Sequence, residues 1–330
     1  MDCVRRSESH CEFSFESWFM RAFLLRRLGF SLISHVGATF IVFSLSRIAS
    51  DPIMLYASPE GYGKTPEQLD AIKKKLGLDK PFFVQYIIWA GNAVQGDLGR
   101  SLVGERPVQK VIGEKFGNTV ELAITGWLLA TLVGVPIGVI SAIKRGTVWD
   151  YIGRFIALFG LAVPNFWFAI VGVLIFSVVF EVLPSGFKGE GFSPKHFIMP
   201  TIVVGTSSMA GYLRMTRSSV LEVMDSEFVK LARAKGVSNR FVVWKHVLRN
   251  ALIQPITIST LLLAGLLNGT LVAEAVFAWP GLGRAMLEAV RANDFPVMMG
   301  GVLFFVIIYI TFSLIADLLY AVVDPRIRYS

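Results

Sequence analysis

The chain has 330 residues, 54% of them hydrophobic and only 17% charged, with a net charge of +8. The charged share falls below the roughly 25% of a typical soluble protein. The apolar residues also come in long blocks, which excludes an ordinary water-soluble domain, a disordered chain and a disulfide-rich secreted module. The basic residues collect in particular loops, as in a membrane protein, and no Cys/His zinc spacing or aromatic–basic strand pair suggests nucleic-acid binding.

Residues 1–19 are polar, with four acidic residues, and read as an N-terminal extension. Cys3 and Cys11, the two cysteines of the chain, make neither a metal site nor a disulfide framework. Met20 then opens a basic flank followed at once by an apolar run. Two readings stay open for residues 1–19: translation starts at Met20, or the segment is a disordered tail. The run from Leu28 to Ile48 is long enough to span a bilayer. It ends at Arg47 and Asp51 without a small-x-small cleavage site, so a retained first helix is expected rather than a signal peptide.

Further apolar blocks cover 119–143, 155–180, 199–220, 254–274 and 300–322. Lipid tolerates no open strand edge, so all are expected as helices. The expected fold is an all-α polytopic membrane protein with six transmembrane helices. It divides into residues 1–19, a segment 20–118 with the first helix and an external loop, and a five-helix core over 119–330. Pro136 and Pro164 are expected to kink their helices. Block 199–220 is the most polar, with Ser207, Ser208, Arg214 and Arg217, and suits a helix facing protein or a water-lined path.

Residues 21–27 carry three Arg, and residues 217–250 carry seven basic residues against three acidic ones. With Lys144, Arg145 and Arg154, and Arg326 and Arg328 in the tail, these places share one side of a six-helix arrangement. The positive-inside rule then puts both termini in the cytoplasm. Segment 49–118 falls outside. In it Thr65-Pro66-Glu67-Gln68 reads as the start of a short amphipathic helix over 66–76, stopped at Gly77. A second short helix is expected over 107–116, near the membrane interface. This region is either a cap over neighbouring helices or a docking surface for an external partner. Trp89, Trp149 and Trp279 fall near block boundaries, as interface anchors do.

Residues 222–250 are too polar to span and too regular to be a plain loop. Asp225 or Ser226 can cap a helix through about Ala234, with Phe228, Leu231, Ala232 and Lys235 on one face. Gly236 turns the chain, and a second helix runs from about Asn239 to Asn250, with a stripe of Val242, Val243, His246 and Val247. Such a basic-flanked helix–Gly–helix element fits a groove in a soluble partner. It equally suits a loop lying on anionic lipid.

The stretch resembles the coupling loop of the integral-membrane permeases of ATP-binding-cassette importers. Set on Gly236, Lys230-Leu231-Ala232 stands where the general family has Glu-Ala-Ala, and Arg249 where it has Pro. Glu227-Phe228-Val229 and Ala232-Arg233-Ala234-Lys235-Gly236 look instead like the variant of the dipeptide/oligopeptide/nickel branch. Leu76-Gly77-Leu78-Asp79-Lys80-Pro81, Gly96-Asp97-Leu98-Gly99-Arg100-Ser101, Pro164-Asn165-Phe166-Trp167, Val276-Phe277-Ala278-Trp279-Pro280-Gly281-Leu282-Gly283 and Asp324-Pro325-Arg326-Ile327-Arg328-Tyr329 are similar to that branch, in order, over residues 20–330.

The resemblance implies a type I importer permease in a prokaryotic cell (inner) membrane. Its implied partners are two cytoplasmic cassette ATPases, a second related permease and an external solute-binding protein. ATP and Mg would be used by the ATPases, and the chain itself, with no G-x-x-x-x-G-K-[ST] loop, binds no cofactor or metal and is not an enzyme. Its implied coupling residues are Glu227, Phe228, Ala232, Arg233, Ala234, Lys235 and Gly236. Arg233 and Lys235 fit partner contacts and simple positive-inside charges equally well. The implied cargo is short peptides, with nickel chelates, glutathione and oligosaccharides as alternatives. A sensing subunit without transport is an alternative of another class, as is a secondary carrier, although no inverted repeat is evident.

Asn165, Arg214 and Asn268 are candidates for the translocation path, because polar groups inside a membrane usually face protein or water. Each also suits helix-to-helix structure. Glu121, Glu274 and Asp317, near block ends, suit hydrogen bonds or salt bridges that fix helix positions.

Overall fold

The computed structural model describes residues 26–45, 47, 67, 70, 73–74, 77–189, 191 and 193–323, with side chains as far as residue 316. Residues 1–19, Met20, the Thr65-Pro66 cap, the Asp317 side chain and the 324–329 ending lie outside these. Every element found among the described residues is helical apart from one isolated bridge between Arg100 and Pro107.

Helix α1, Arg26–Leu45, is the first apolar span. Its Phe40 and Phe43 pack on Phe82, Tyr86 and Trp89 of α2, Phe82–Val94, and Thr39 Oγ1 lies 2.9 Å from the Tyr86 hydroxyl. Glu67, Asp70, Lys73 and Lys74 are helical. At Gly77, where the sequence puts a stop, φ is +65°, and Gly77 donates to Lys74 O and Leu78 to Lys73 O. A residue in this left-handed conformation lets the chain satisfy the last carbonyls and leave.

Helix α3 begins at Val108 and runs unbroken to Ile143, so the separate interfacial helix expected over 107–116 is instead the first part of a 36-residue span. Val108 and Ile112 are apolar at helical spacing because they pack on Leu282, Ala289 and Val297. Pro136 does not break α3. A π-turn at Ala130–Gly134 comes just before it, the kind of local unwinding that accommodates a missing N–H.

The block expected as one span over 155–180 is two helices, α4 (Val148–Ala162) and α5 (Asn165–Val179), bent by 99°. Val163 is extended and Pro164 precedes α5, which fits the steric exclusion of helical geometry before proline. Helix α6, Pro194–Met224, is one 31-residue rod, about 46 Å at the usual rise. Two short helices follow, α7 (Glu227–Ala234) and a helical run from Asn239 to Ala251, α8, with a π-turn at Val242–Val247. Then come α9 (Ile253–Gly269), α10 (Leu271–Val276), α11 (Leu282–Arg291) and α12 (Phe295–Val323).

Among the described residues four stretches are apolar and long enough to cross a membrane: α1, α3, α9–α10 and Phe295–Ala316 of α12. The bent α4–α5 pair makes a fifth if it counts as one span. The sixth expected helix, α6, is long enough, but Lys195, His196, Arg214, Arg217 and Glu222 keep it outside that apolar class. It sits against α3, α4, α5 and α9, where protein replaces lipid.

That contact depends on small residues. A Cβ on Gly134 would lie 2.7 Å from Met209 O, and one on Gly138 2.7 Å from Leu213 O. A Cβ on Gly160 of α4 would likewise lie 2.8 Å from Ala210 Cβ of α6. Close backbone approach of this kind is how helices associate where the hydrophobic effect gives no preference for protein over lipid. Trp127 Nε1 donates to Ser259 Oγ at 2.9 Å, and Thr201 Oγ1 to Thr125 Oγ1 at 2.9 Å, so polar groups are joined across helices. We expect Gly138→Ala to lower the melting temperature of the detergent-solubilised protein, since overpacking a close contact costs about 1–3 kcal/mol. A thermal-unfolding scan checks it.

Candidate functional site

The bundle has two ends built from different chemistry. At one, α7 and α8 lie across the ends of α3 and α6. Val229 of α7 is fully buried and meets Val220, Ala142 and the α8 residues Val242, Val243, Val247 and Leu248. Ser226 is at the N-cap as expected, but its hydroxyl turns back to Val223 O at 2.6 Å and does not cap the new helix. The far end of α7 closes by two bonds. Gly236 N donates to Arg233 O at 2.9 Å and Val237 N donates to Ala232 O at 3.3 Å, while Ala232 and Val237 pack on the same core. This closure needs the φ of +78° that Gly236 adopts.

Burying Val229 turns the opposite face of α7 outward. Glu227, Phe228, Arg233, Ala234, Lys235 and Gly236 are exposed, and Ala232 is half-buried. Phe228 and Leu231 are joined by Phe241 and Trp244 of α8 as exposed large apolar side chains. Arg233, Lys235, Arg240 and Lys245 are exposed on the same two helices. Lys230 bonds Glu227 at 2.8 Å, and that carboxylate holds the ammonium pKa above the usual lysine value. The seven residues Glu227, Phe228, Ala232, Arg233, Ala234, Lys235 and Gly236 therefore fall on one short helix and its stop.

Among the described residues no hydrogen bond joins Asn165, Arg214 and Asn268 to one another. Asn165 opens α5 at the bend and is half-buried. Arg214 is exposed on α6. Asn268 donates to Ala264 O of its own helix at 3.0 Å. Among the described residues no group of three or more His, Cys, Asp or Glu side chains is placed to hold a metal ion.

The other end is a polar knot around Glu274, whose side chain is fully buried. Its Oε1 accepts from Thr119 Oγ1 at 2.7 Å and Thr270 Oγ1 at 2.9 Å, and its Oε2 from the Arg284 backbone N–H at 2.9 Å. Thr119 Oγ1 in turn accepts from Leu282 N at 2.8 Å. Glu274 thus caps α11, whose own N-cap, Gly281, has no side chain to do so. Gly281 is required for space, because a Cβ there would lie 2.3 Å from Glu274 Cδ. Trp279 is not an interface anchor. It is fully buried, stacks edge-on with Phe197 of α6 at 4.7 Å and donates Nε1 to Asn118 O. Lys188 joins the knot through Asn118 Oδ1 at 2.7 Å and an ion pair with Glu121.

The chain matches two family models. Residues 134–329 match the binding-protein-dependent transport system inner membrane component, and residues 20–123 its N-terminal membrane component. The chain belongs to this family. It is 36% identical to the dipeptide transport system permease protein DppB of Escherichia coli (strain K12), covering 94% of this chain and 99% of the relative. It is 37% identical to the oligopeptide transport system permease protein AppB of Bacillus subtilis (strain 168), covering 94% and 100%. The MetNI methionine ABC transporter in an inward-facing form shares the fold, with a TM-score of 0.50 at 17% identity over 65% of this chain and 96% of that one. So does an amino acid ABC transporter solved with histidines, with a TM-score of 0.53 at 13% identity over 64% and 93%.

The protein is therefore a multi-pass inner-membrane permease component, a non-catalytic part of a transport system. The Trp279-Pro280-Gly281 stretch is legible in the sequence as a motif, and Glu274 fixes helix positions by hydrogen bonds, as Glu121 does by its ion pair with Lys188, in line with the expectation for both; that Glu274 caps α11 beneath the motif is not legible there. We expect Glu274→Gln to lower thermal stability by about 1–3 kcal/mol, because an amide donor would replace one of two accepting oxygens in a buried site full of donors. Gly281→Ala is expected to act in the same direction, and thermal unfolding of both variants in detergent checks the pair.

Proposed function

We propose that the protein is the permease subunit of an ATP-driven importer of short peptides, docking its cassette ATPases through α7. The exposed face of Phe228, Leu231, Phe241 and Trp244 beside Arg233, Lys235, Arg240 and Lys245 carries this reading. Exposed apolar and basic side chains on a helix pair anchored by the buried Val229 suit a groove in a soluble protein. The dipeptide and oligopeptide permeases that it resembles support the cargo class.

In the proposed assembly two cytoplasmic ATPases hold ATP and Mg, a second related permease pairs with this chain, and an external solute-binding protein delivers cargo. The α7 end and both termini face the cytoplasm, in line with the basic residues that gather there. ATP binding brings the ATPases together and carries the α7 helices with them, opening the bundle outward. Hydrolysis and product release return it. A permease that moves between two such states needs only the partners' differential affinity for them.

Gly236 closes α7 with open space around it, so a side chain there meets backbone strain rather than a clash. Gly236→Leu is expected to leave membrane insertion intact and to cut peptide-stimulated ATP hydrolysis at least several-fold, with the helix end shifted by a strain of about 1 kcal/mol or more. Normal stimulated hydrolysis in an assembled mutant complex would contradict the docking role of α7.

Arg214 and Asn165 are the proposed polar positions on the peptide path, Arg214 as the partner of a peptide carboxylate. Asn268 is proposed as a third, with its amide nitrogen already held by its own helix. Arg214→Ala is expected to reduce uptake of a free dipeptide several-fold more than uptake of its carboxyl-amidated form, read in proteoliposomes.

A further inference from the structure

Asp150 is fully buried near the α7 end, at the first turn of α4, and it is the meeting point of three helices. Its Oδ1 accepts from Ser141 Oγ of α3 at 2.8 Å and from Arg217 Nε of α6 at 2.8 Å. Its Oδ2 accepts from Arg217 Nη2 at 3.1 Å, Arg154 Nη2 at 2.5 Å and the Gly146 N–H at 3.0 Å. The Arg217 fork grips both oxygens, a geometry that fixes orientation as well as distance. Neither the exposed α7 face nor the proposed peptide path uses this group.

Its position gives it a consequence. Arg217 lies about two turns before the end of α6 at Met224, and α6 turns directly into α7 through Asp225 and Ser226. The same α3–α4 turn meets that junction a second time, through an exposed Arg145–Asp225 pair at 3.8 Å. Helix α4 leads to the 99° bend at Pro164. Helix α7 is thus joined to α6 through the chain, and α6 to α4 and its bend through the Asp150–Arg217 fork.

We propose that the Asp150–Arg217 pair, with its carboxylate fully buried, is a positioning element that makes α4 and its bend follow the α6–α7 unit, so that ATPase closure becomes opening of the path. This inference rests on the docking role of α7. A rigid tie is what such transmission needs, because packed elements with discrete arrangements carry coupling between distant sites. A buried carboxylate gripped by a bidentate guanidinium shifts as a unit, whereas the solvent-exposed Arg145–Asp225 pair is weak.

The test uses the full complex, with both permeases, its ATPases and its binding protein, in proteoliposomes, and reads peptide taken up per ATP hydrolysed. Wild type first establishes peptide-stimulated hydrolysis and uptake; absence of both in an assembled wild-type complex would overturn the docking reading and this proposal with it. Given that activity, Arg217→Lys keeps the charge and loses the fork. It is expected to lower the uptake-to-hydrolysis ratio at least about fivefold, the low end of coupling between sites. Asp150→Asn is expected to lower it further, and Arg145→Ala to leave it near wild type. A purely structural pair would lower the yield or melting temperature of the complex while the assembled fraction kept the wild-type ratio. That result for Arg217→Lys, which does not depend on whether Asp150→Asn folds, would overturn the proposal.

Discussion

Helix α6 has to be sheathed by protein. Its Tyr212, Thr216 and Ser219 are buried and its Arg217 reaches Asp150, so the packed side of this 31-residue rod is too polar to meet hydrocarbon, while Lys195, Arg214 and Glu222 are exposed. The bundle is arranged around that constraint. Glycines at 134, 138 and 160 let α3 and α4 come within backbone contact of α6, and Tyr212, Thr216 and Ser219 are buried in the seam. The buried end of Ser219 reaches Ala251 O at 2.7 Å, which also ties α6 to the end of α8. A more apolar α6 could face lipid, and nothing would then oblige the other helices to close around it.

The rod also connects two ends of contrasting design. At one, Phe197 of α6 packs on Trp279, and the Glu274 knot satisfies each of its buried acceptors with hydroxyl and backbone donors. A carboxylate that caps a helix N-terminus also meets the positive end of its dipole. This end is locked from inside, by bonds to a fully buried carboxylate. At the other end the core stops at Val229, and the α7 face beyond it is presented outward. Fixing one end while offering the other is what a lever between a membrane path and a soluble motor requires.

Much of this was legible in the sequence because it follows from local chemistry. The apolar blocks marked the helices, Gly77 and Gly236 marked stops, and the valine stripe of α8 marked its buried face. The misreadings have a common cause. Where Val108 begins α3 and how a π-turn absorbs Pro136 are decided by packing against distant segments, which a linear pattern does not record; the kink expected at Pro164 is in place, but at 99° it divides the block into two helices. Trp279 looked like an interface anchor because Trp often is one, but Asn118 and Phe197 supply it with a buried partner and a ring, 161 residues away in the case of Asn118. The Asp150 cluster was invisible for the same reason, since its donors come from several helices; Glu274 was legible as a hydrogen-bonding group near a block end, but its particular donors, from distant segments, were not.

The central claim is that the outward face of α7 meets an ATPase. The most direct measurement places a photo-crosslinking residue at Leu231 and, as a control, at Glu288 on α11 at the other end of the bundle, in native membranes. The account predicts an ATPase adduct from Leu231 and none from Glu288. Equal adducts from both positions, or none from Leu231 in membranes where the ATPases copurify with the chain, would contradict it.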